Sequence, residues 1–373
     1  RRYARQLALP GFGPPAQQRL ADASVLVVGA GGLGSPVALY LAAAGVGRLG
    51  LADHDVVDTS NLHRQLLYGD ADVGRPKLDA ARDRLAGVNP HVRLETHPLH
   101  VDAANAAPLV AGYDLVVDAT DNFAARYAVS DACARAGRPL VHGSVSRFEG
   151  RVALLVADGA PCYRCLFPEA PPAGSVPSCA EAGVLGVLPG LVGMLQATEA
   201  IKHLTGVGVT LAGRMVLVDA LRTTFHTVTL RRDPHCAACG DGASLDAPPS
   251  APPECLPTES PAVSDSSDVY DMPATELAER LRGDAPPVLI DVREPWEHDV
   301  ARIAGARLVP LDSIAAALST FDPAQEYVIH CHHGMRSMMA AQFLKQRGIT
   351  KVANLRGGIS AWSDDVDPSV PQY

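Results

Sequence analysis

The sequence predicts an α/β protein: a mostly parallel sheet with helices on both faces, an antiparallel extension, and then a second, small α/β domain. Three observations predict it. Up to Asp241, short apolar runs rich in β-branched residues alternate with helical patterns, which is the rhythm of βαβ units. Residues 242–268 turn to Pro, Ser and Ala with no apolar period, the composition of a semi-extended, mobile linker. Residues 269–373 then bring new strand runs at 288–290 and 327–329, each ending at a polar or reactive residue. That length is enough for one small domain.

Composition narrows the class. A chain of 373 residues can hold two domains with their own cores. Its 47% hydrophobic and 20% charged residues are those of an ordinary soluble globular protein. The net charge of −9 argues against nucleic acid or an anionic membrane as main partner, since both need clustered Lys and Arg. No charged residue falls between Ala23 and Gly47, a stretch long enough to span a bilayer. Gly29, Gly31, Gly32, Gly34 and Pro36 interrupt it, and a strand–turn–helix reading accounts for each, so the stretch is expected to be buried core. The opening Arg1-Arg2-Tyr3-Ala4-Arg5-Gln6 has no apolar segment of a signal peptide. Because the first residue is not Met, a few residues are expected to be missing. Eight cysteines are too few for a disulfide scaffold, and four of them form two C-x-x-C pairs, a metal spacing in a reducing compartment. Cytosol is the expected location.

The first domain is expected to be Rossmann-like, with parallel strands at 25–28, 49–52, 92–96, 115–118 and 140–145 and helices at 35–44, 77–85 and 124–135. Strands at 150–156, 215–218 and 224–230 supply the antiparallel extension. After the first strand, Gly29-Ala30-Gly31-Gly32-Leu33-Gly34 makes a tight turn into a helix. A turn without side chains lets the backbone approach an anion, and the helix N-terminus offers free N–H groups. Asp53 follows about 20 residues on, where a ribose-binding acid is expected. By itself this pattern suggests a nucleotide, with an NAD-dependent enzyme as the default. Arg64, within Ser60-Asn61-Leu62-His63-Arg64-Gln65, and Lys77, after Gly74-Arg75-Pro76, suit phosphate chemistry better than a nicotinamide slot. Asp121, just past the fourth strand, suits magnesium, which needs only one or two protein carboxylates beside phosphates. Cys162, Cys165, Cys236 and Cys239 offer four thiolates for a closed, structural zinc site that pins a returning strand.

These motifs, with Arg2-Tyr3-Ala4-Arg5-Gln6, Asp53-His54-Asp55 and Thr120-Asp121-Asn122, resemble in order those of the MoeB/ThiF adenylyltransferases, relatives of the ubiquitin-activating enzymes. The resemblance covers residues 1–240. It implies that ATP and magnesium activate the C-terminal glycine carboxylate of a small ubiquitin-like sulfur carrier ending in Gly-Gly. Carried over by position, Gly29, Gly31, Gly32 and Gly34 form the phosphate turn and Asp53 is the ribose ligand. Asn61, Arg64 and Lys77 become the triphosphate clamp, Gln65 and Asn122 line the nucleotide site, and Asp121 holds magnesium. Arg5 is expected to reach the ATP of a second subunit, which implies a homodimer. The family commonly carries the four-cysteine zinc. Cys179 lies in a Gly/Pro/Ser-rich loop, where its thiol could attack an acyl-adenylate or a persulfide. The matching cysteine bonds the carrier in some members and is dispensable in others. Cys133 is expected in the core, and Cys255 in the linker has no expected role.

In the second domain, Tyr327-Val328-Ile329-His330-Cys331-His332-His333-Gly334-Met335-Arg336 reads as strand, cysteine loop and helix. Backbone N–H groups, a helix N-terminus and Arg336 would favour a thiolate or an anionic persulfide at Cys331. The Cys-x4-Arg spacing is one residue shorter than the Cys-x5-Arg of phosphatases, shrinking the ring toward a single sulfur. Asp291-Val292-Arg293-Glu294, Glu297-His298, Ile303-Ala304-Gly305-Ala306 and Gly357-Gly358-Ile359-Ser360-Ala361-Trp362 resemble the rhodanese sulfurtransferases. That resemblance implies a persulfide on Cys331, loaded by a desulfurase or thiosulfate. Together the two domains are expected to adenylate a carrier and convert it to a thiocarboxylate, as in molybdopterin synthesis, thiamine synthesis or tRNA thiolation. The chain ends Pro371-Gln372-Tyr373 without Gly-Gly, so the carrier is expected to be a separate protein. Two alternatives stand beside this: an NAD-dependent enzyme with a rhodanese appendage, and a non-catalytic scaffold for ubiquitin-like proteins.

Overall fold

The computed structural model describes residues 1–157, 159–171, 183–243, 269–283 and 285–371. The chain divides into two compact units, Arg1–Thr258 and Glu259–Tyr373. Most of the 242–268 linker, with Cys255, lies outside the described residues, as does Cys179.

In the first unit the strands are β1 (Ser24–Val28), β2 (Arg48–Asp53), β3 (Arg93–Pro98), β4 (Leu115–Asp118), β5 (Leu140–Ser146), β6 (Glu149–Leu155), β7 (Arg214–Asp219) and β8 (Thr224–Thr229). They form one sheet in the order β3-β2-β1-β4-β5-β6-β7-β8. Pairing is parallel through β5 and antiparallel from β5 to β8. The helices are α1 (Ala4–Leu7), α2 (Gly13–Asp22), α3 (Gly34–Ala44), α4 (Lys77–Val88), α5 (Ala106–Ala111), α6 (Phe123–Ala136), α7 (Tyr163–Leu166) and α8 (Val187–Thr205). Every residue of β1 and β4 is buried, as expected of central parallel strands covered on both faces. The charge-free stretch is therefore core: β1, the glycine turn and α3, which ends on Gly45 at φ 87° in a left-handed cap. Among the described residues no helix is long and apolar enough to cross a membrane.

The strand order reverses between β1 and β4, which pair with Val28 opposite Asp118. Such a switch point leaves a crevice beyond the strand ends where α/β sheets bind ligands. Gly29 follows β1 there. A Cβ on it would lie 2.5 Å from the Ala119 carbonyl oxygen, and one on Gly34 only 1.9 Å from that of Gly29.

In the second unit β9 (Tyr270–Met272), β10 (Val288–Asp291), β11 (Arg307–Leu308), β12 (Tyr327–His330) and β13 (Val352–Leu355) form a parallel sheet ordered β11-β10-β12-β13-β9. Helices α9 (Ala274–Leu281), α10 (Pro295–Val300), α11 (Met335–Gln346) and α12 (Gly358–Asp365) accompany it. Apolar clusters cover both faces, one with Leu277, Val328 and Trp362 and the other with Ile290, Ile329 and Leu344.

Candidate active sites

The crevice of the first unit gathers most of the expected nucleotide residues around the glycine turn. Asp53, at the end of β2, accepts from the Ala30 N–H at 2.7 Å and the Asp55 N–H at 2.9 Å, which fixes its carboxylate beside the turn. The buried Tyr68 hydroxyl donates to the Ala30 carbonyl at 2.8 Å. Lys77, 5% exposed, sits 2.7 Å from Asp55 Oδ2. Arg64 packs its stem toward Gly32, whose Cβ would lie 3.5 Å from Arg64 Cγ, and donates to the Ser60 carbonyl at 2.8 Å. Gln65 is buried with its Oε1 unpartnered among the described residues, and its amide lies 3.7 Å from where a Gly31 Cβ would stand. Asn61 belongs to the same short turn and accepts the Arg64 N–H at 3.0 Å. Arg64 and the Gln65 amide thus adjoin the backbone turn, while Lys77 is held at Asp55, two residues past Asp53.

Asp121 is exposed on the loop after β4. Asp118, fully buried, accepts from Thr120 N–H at 3.0 Å and Thr120 Oγ1 at 2.6 Å. Arg126 donates to the Thr120 carbonyl at 3.0 Å. Asn122 caps α6 by accepting the Ala125 N–H at 2.8 Å. Burial alone would raise the Asp118 carboxyl, but the His142 hydrogen bond and the Arg126 charge hold it below its ordinary value. Burial keeps His142 neutral and outweighs its 2.8 Å bond to Asp118. Gln196 of α8 ties β4 to β5, donating to Asp118 O at 2.7 Å and Val141 O at 3.2 Å. Sequence reasoning missed Asp118, Arg126, His142 and Gln196. Asp118 had a signal, a polar residue closing the apolar buried strand β4; His142 lies inside β5, and Arg126 and Gln196 lie on helices, where spacing gave none.

Arg5 is not brought to this turn. Its helix α1 is anchored at the opposite end of α3: Tyr3 packs on Gly45, and Gln6 donates to the Ala44 carbonyl at 3.3 Å. The eleven residues of α3 separate that end from the turn by about 16 Å.

The four cysteines do converge. Sγ atoms lie 3.9 Å apart for Cys162 and Cys165, 3.5 Å for Cys162 and Cys236, and 3.4 Å for Cys165 and Cys239. Tetrahedral thiolates at about 2.3 Å from zinc would stand about 3.8 Å from one another, so the donor set fits that metal. The Asp233 N–H donates to Cys165 Sγ at 3.4 Å. As bare thiols, Cys165 is pushed up to about 11 by burial and Cys162 further. Cys133 is wholly buried on α6, and burial raises its thiol too.

In the second unit Cys331 follows β12 and is 2% exposed. Its Sγ accepts from the Gly334 N–H at 3.1 Å and the Ser337 hydroxyl at 3.4 Å. The loop is closed from behind: Ile359 N–H donates to Cys331 O at 2.9 Å and Ser360 N–H to His332 O at 3.1 Å. A Cβ on Gly358 would stand 2.3 Å from His332 O. Arg336 places both terminal nitrogens 2.7 Å from the buried Glu297 carboxylate, which balances its charge. Arg293, fully buried, forks onto Asp291 at 2.8 and 2.6 Å. Burial would raise Asp291, yet Arg293, His330 and His298 bring it down to about 2. His330 is driven to about 4 by burial and so is neutral.

Similarity to known proteins follows the two units. The pattern of the ThiF family matches residues 3–238, and that of the rhodanese-like domain matches residues 273–365. A probable adenylyltransferase/sulfurtransferase MoeZ of Mycobacterium tuberculosis is 42% identical over 391 residues, covering 100% of this chain and 95% of its own. Adenylyltransferase and sulfurtransferase MOCS3-1 of Zea mays is 39% identical, covering 100% of this chain and 83% of its own. A sulfur carrier protein adenylyltransferase of Thermus thermophilus is 55% identical over 245 residues, covering 64% of this chain and 90% of its own. Among solved structures, E. coli MccB with ATP superimposes with a TM-score of 0.57 at 22% identity, over 65% of this chain and 75% of that one, a likeness of fold.

Proposed function

The chain belongs to the ThiF family, carries a rhodanese-like domain and is an ATP-using adenylyltransferase and sulfurtransferase; we propose that its two units act in series on the C-terminal glycine carboxylate of a ubiquitin-like sulfur carrier. The observation that carries this is the crevice at the β1/β4 switch point, where Arg64 and Gln65 adjoin the glycine turn, Asp53 is fixed on it, Lys77 is paired with nearby Asp55 and Asp121 stands on the loop after β4. There the carrier carboxylate attacks the α-phosphorus of ATP, and pyrophosphate leaves from between Arg64 and Lys77. Asp53 binds the ribose, while Asn61 and Asn122 line the site. Asp121 would hold magnesium, which neutralises the polyphosphate charge.

The second step belongs to Cys331. The terminal sulfur of its persulfide attacks the acyl-adenylate carbonyl and AMP departs, leaving an acyl disulfide between Cys331 and the carrier. A thiol then attacks the Cys331 sulfur, forms a new disulfide with it, and releases the carrier thiocarboxylate. Cys179 is our candidate for that thiol, and an external thiol reduces the resulting disulfide. Residues 242–268 act as the tether that keeps the donor sulfur at high local concentration, between an adenylation domain at 1–241 and a sulfurtransferase domain at 269–373. Cys162, Cys165, Cys236 and Cys239 hold a structural zinc. Arg5, at the far end of α3, serves the crevice of a second copy, making the protein a homodimer. Unpaired thiols such as Cys133 and Cys331 suit a reducing cytosol.

The test incubates the protein with ATP, magnesium, either a desulfurase persulfide or thiosulfate, and candidate carriers, then weighs each carrier. A mass gain matching one oxygen replaced by one sulfur is expected. Absence of that gain in every carrier, with Cys331 persulfidated and ATP–pyrophosphate exchange running, would falsify the serial reading.

A further inference from the structure

A buried polar chain joins the four cysteines to the loop that carries Asp121. It starts at α7, the single turn that is capped by Cys162 and contains Cys165. Arg164 sets Nε and Nη2 on the buried Asp131 of α6 at 2.9, 3.1 and 2.9 Å. The Tyr163 N–H donates to Ser130 Oγ at 3.1 Å. In return, the Tyr127 hydroxyl of α6 shares its one hydrogen between the Phe167 and Glu169 carbonyls, each 2.8 Å away. Helix α6 and the cysteine knuckle are therefore clamped together on both sides.

The same helix begins at Phe123, two residues past Asp121. Its cap is Asn122, and one turn in, Arg126 holds the Thr120 carbonyl, with Nε 3.5 Å from Asp118 Oδ2. The guanidinium carbon of Arg126 lies 5.9 Å from the Tyr163 ring centroid. That ring also meets His142 at 5.1 Å and Tyr127 at 5.1 Å. Burial disfavours the Arg126 charge, and Asp118 together with the Tyr163 hydroxyl restores it. Tyr163, 4% exposed, thus stands between a metal-type cluster and the group that holds the Thr120 carbonyl, next to Asp121. In a low-dielectric network of this kind each missing partner is felt by the others.

We propose that Tyr163 is a positioning residue for adenylation, carrying the geometry of the four-cysteine cluster through Arg126 to Asp121. The proposal rests on the reading of Asp121 as the magnesium ligand. Its physical content is that an intact knuckle seats the tyrosine, the tyrosine seats Arg126, and Arg126 with Asp118 holds the Thr120 peptide so that the next carboxylate points into the crevice.

The experiment uses the full chain carrying Tyr163→Phe, which keeps the stacked ring and removes only the hydroxyl, with Arg164→Lys as a second variant that loosens α7 from α6. Bound zinc, hydrogen–deuterium exchange over residues 117–125, and the magnesium dependence of ATP–pyrophosphate exchange are measured. Expected for both variants is full zinc content, faster deuteration of 119–123, and a roughly 10-fold higher magnesium concentration at half-maximal rate, with the maximal rate recovered at saturating magnesium. Stripping zinc from the unmodified chain with a chelator should loosen 119–123 in the same way and add little in Tyr163→Phe. Unchanged deuteration of 119–123 after stripping and in both variants overturns the proposal. So does a lower maximal rate with an unmoved magnesium half-point. Asp121→Asn separates the underlying reading: if its magnesium dependence matches the unmodified chain, the magnesium assignment falls, while the deuteration of 119–123 still decides the link to Tyr163.

Discussion

Lys77 is nearly buried, and its ammonium is tolerated because Asp55, half exposed, lies 2.7 Å away. In the role proposed for Lys77, a polyphosphate entering the crevice would compete for that ammonium with a carboxylate that water can rehydrate. Lys77→Met should therefore lower ATP–pyrophosphate exchange by about 10²–10³-fold, with little change in the thermal unfolding of the first unit. Cys331→Ser should leave that exchange intact and abolish thiocarboxylate formation, read by carrier mass. Asp291 sets a pH limit on the second unit. Its carboxyl is at about 2 in the folded chain against an ordinary 3.8. Because the folded value is the lower one, its stabilisation is complete above pH 4 and is lost as pH falls toward 2. Denaturant unfolding of the second unit should lose about 2 kcal/mol across that window. The positions of Lys77 at a helix start and Cys331 just past a strand end were legible in the sequence from local spacing. The pairing of Arg336 with Glu297 was not, since those partners stand 39 positions apart and meet only when α10 and α11 pack.

Among the elements, the glycine turn is dictated by sterics at short range. Gly34→Ala puts a methyl group against the Gly29 carbonyl at 1.9 Å, a contact with backbone that cannot swing away. The substitution should cost several kcal/mol of stability or displace the turn, and isothermal titration should show ATP binding lost. The strand expected at 92–96 runs instead from Arg93 to Pro98. It is the sheet edge, and its half-exposed residues follow pairing with β2 rather than an apolar run. The expected helix at 35–44 starts one residue earlier and stops on a left-handed Gly45. Such boundaries are set by caps and neighbours, which periodicity does not contain. Helix α1 is the plainest case: nothing in Arg2-Tyr3-Ala4-Arg5-Gln6 says that Tyr3 will seat on Gly45 and leave Arg5 far from its own crevice.

At the scale of the whole molecule, each unit has its own apolar clusters, so calorimetry should resolve two transitions. Chelation should lower only the first, because Cys162, Cys165, Cys236 and Cys239 all belong to Arg1–Thr258. One shared transition that moves as a whole on chelation would contradict this. What the sequence determined alone was what local spacing can encode: the βαβ rhythm, the glycine turn, the paired cysteines and the strand–cysteine–helix loop, all consequences of backbone sterics and burial within a few turns of chain. Tertiary structure decided what depends on distant strands meeting. The order β3-β2-β1-β4-β5 puts Gly29 against Ala119 and so places Asp121 beside the turn. Packing of α6 on α7 joins Arg126 to Tyr163, and Asp118 with His142 closes the floor between them. Those contacts arise because buried polar groups must find partners across the sheet, and a linear sequence does not say which strand will be next to which.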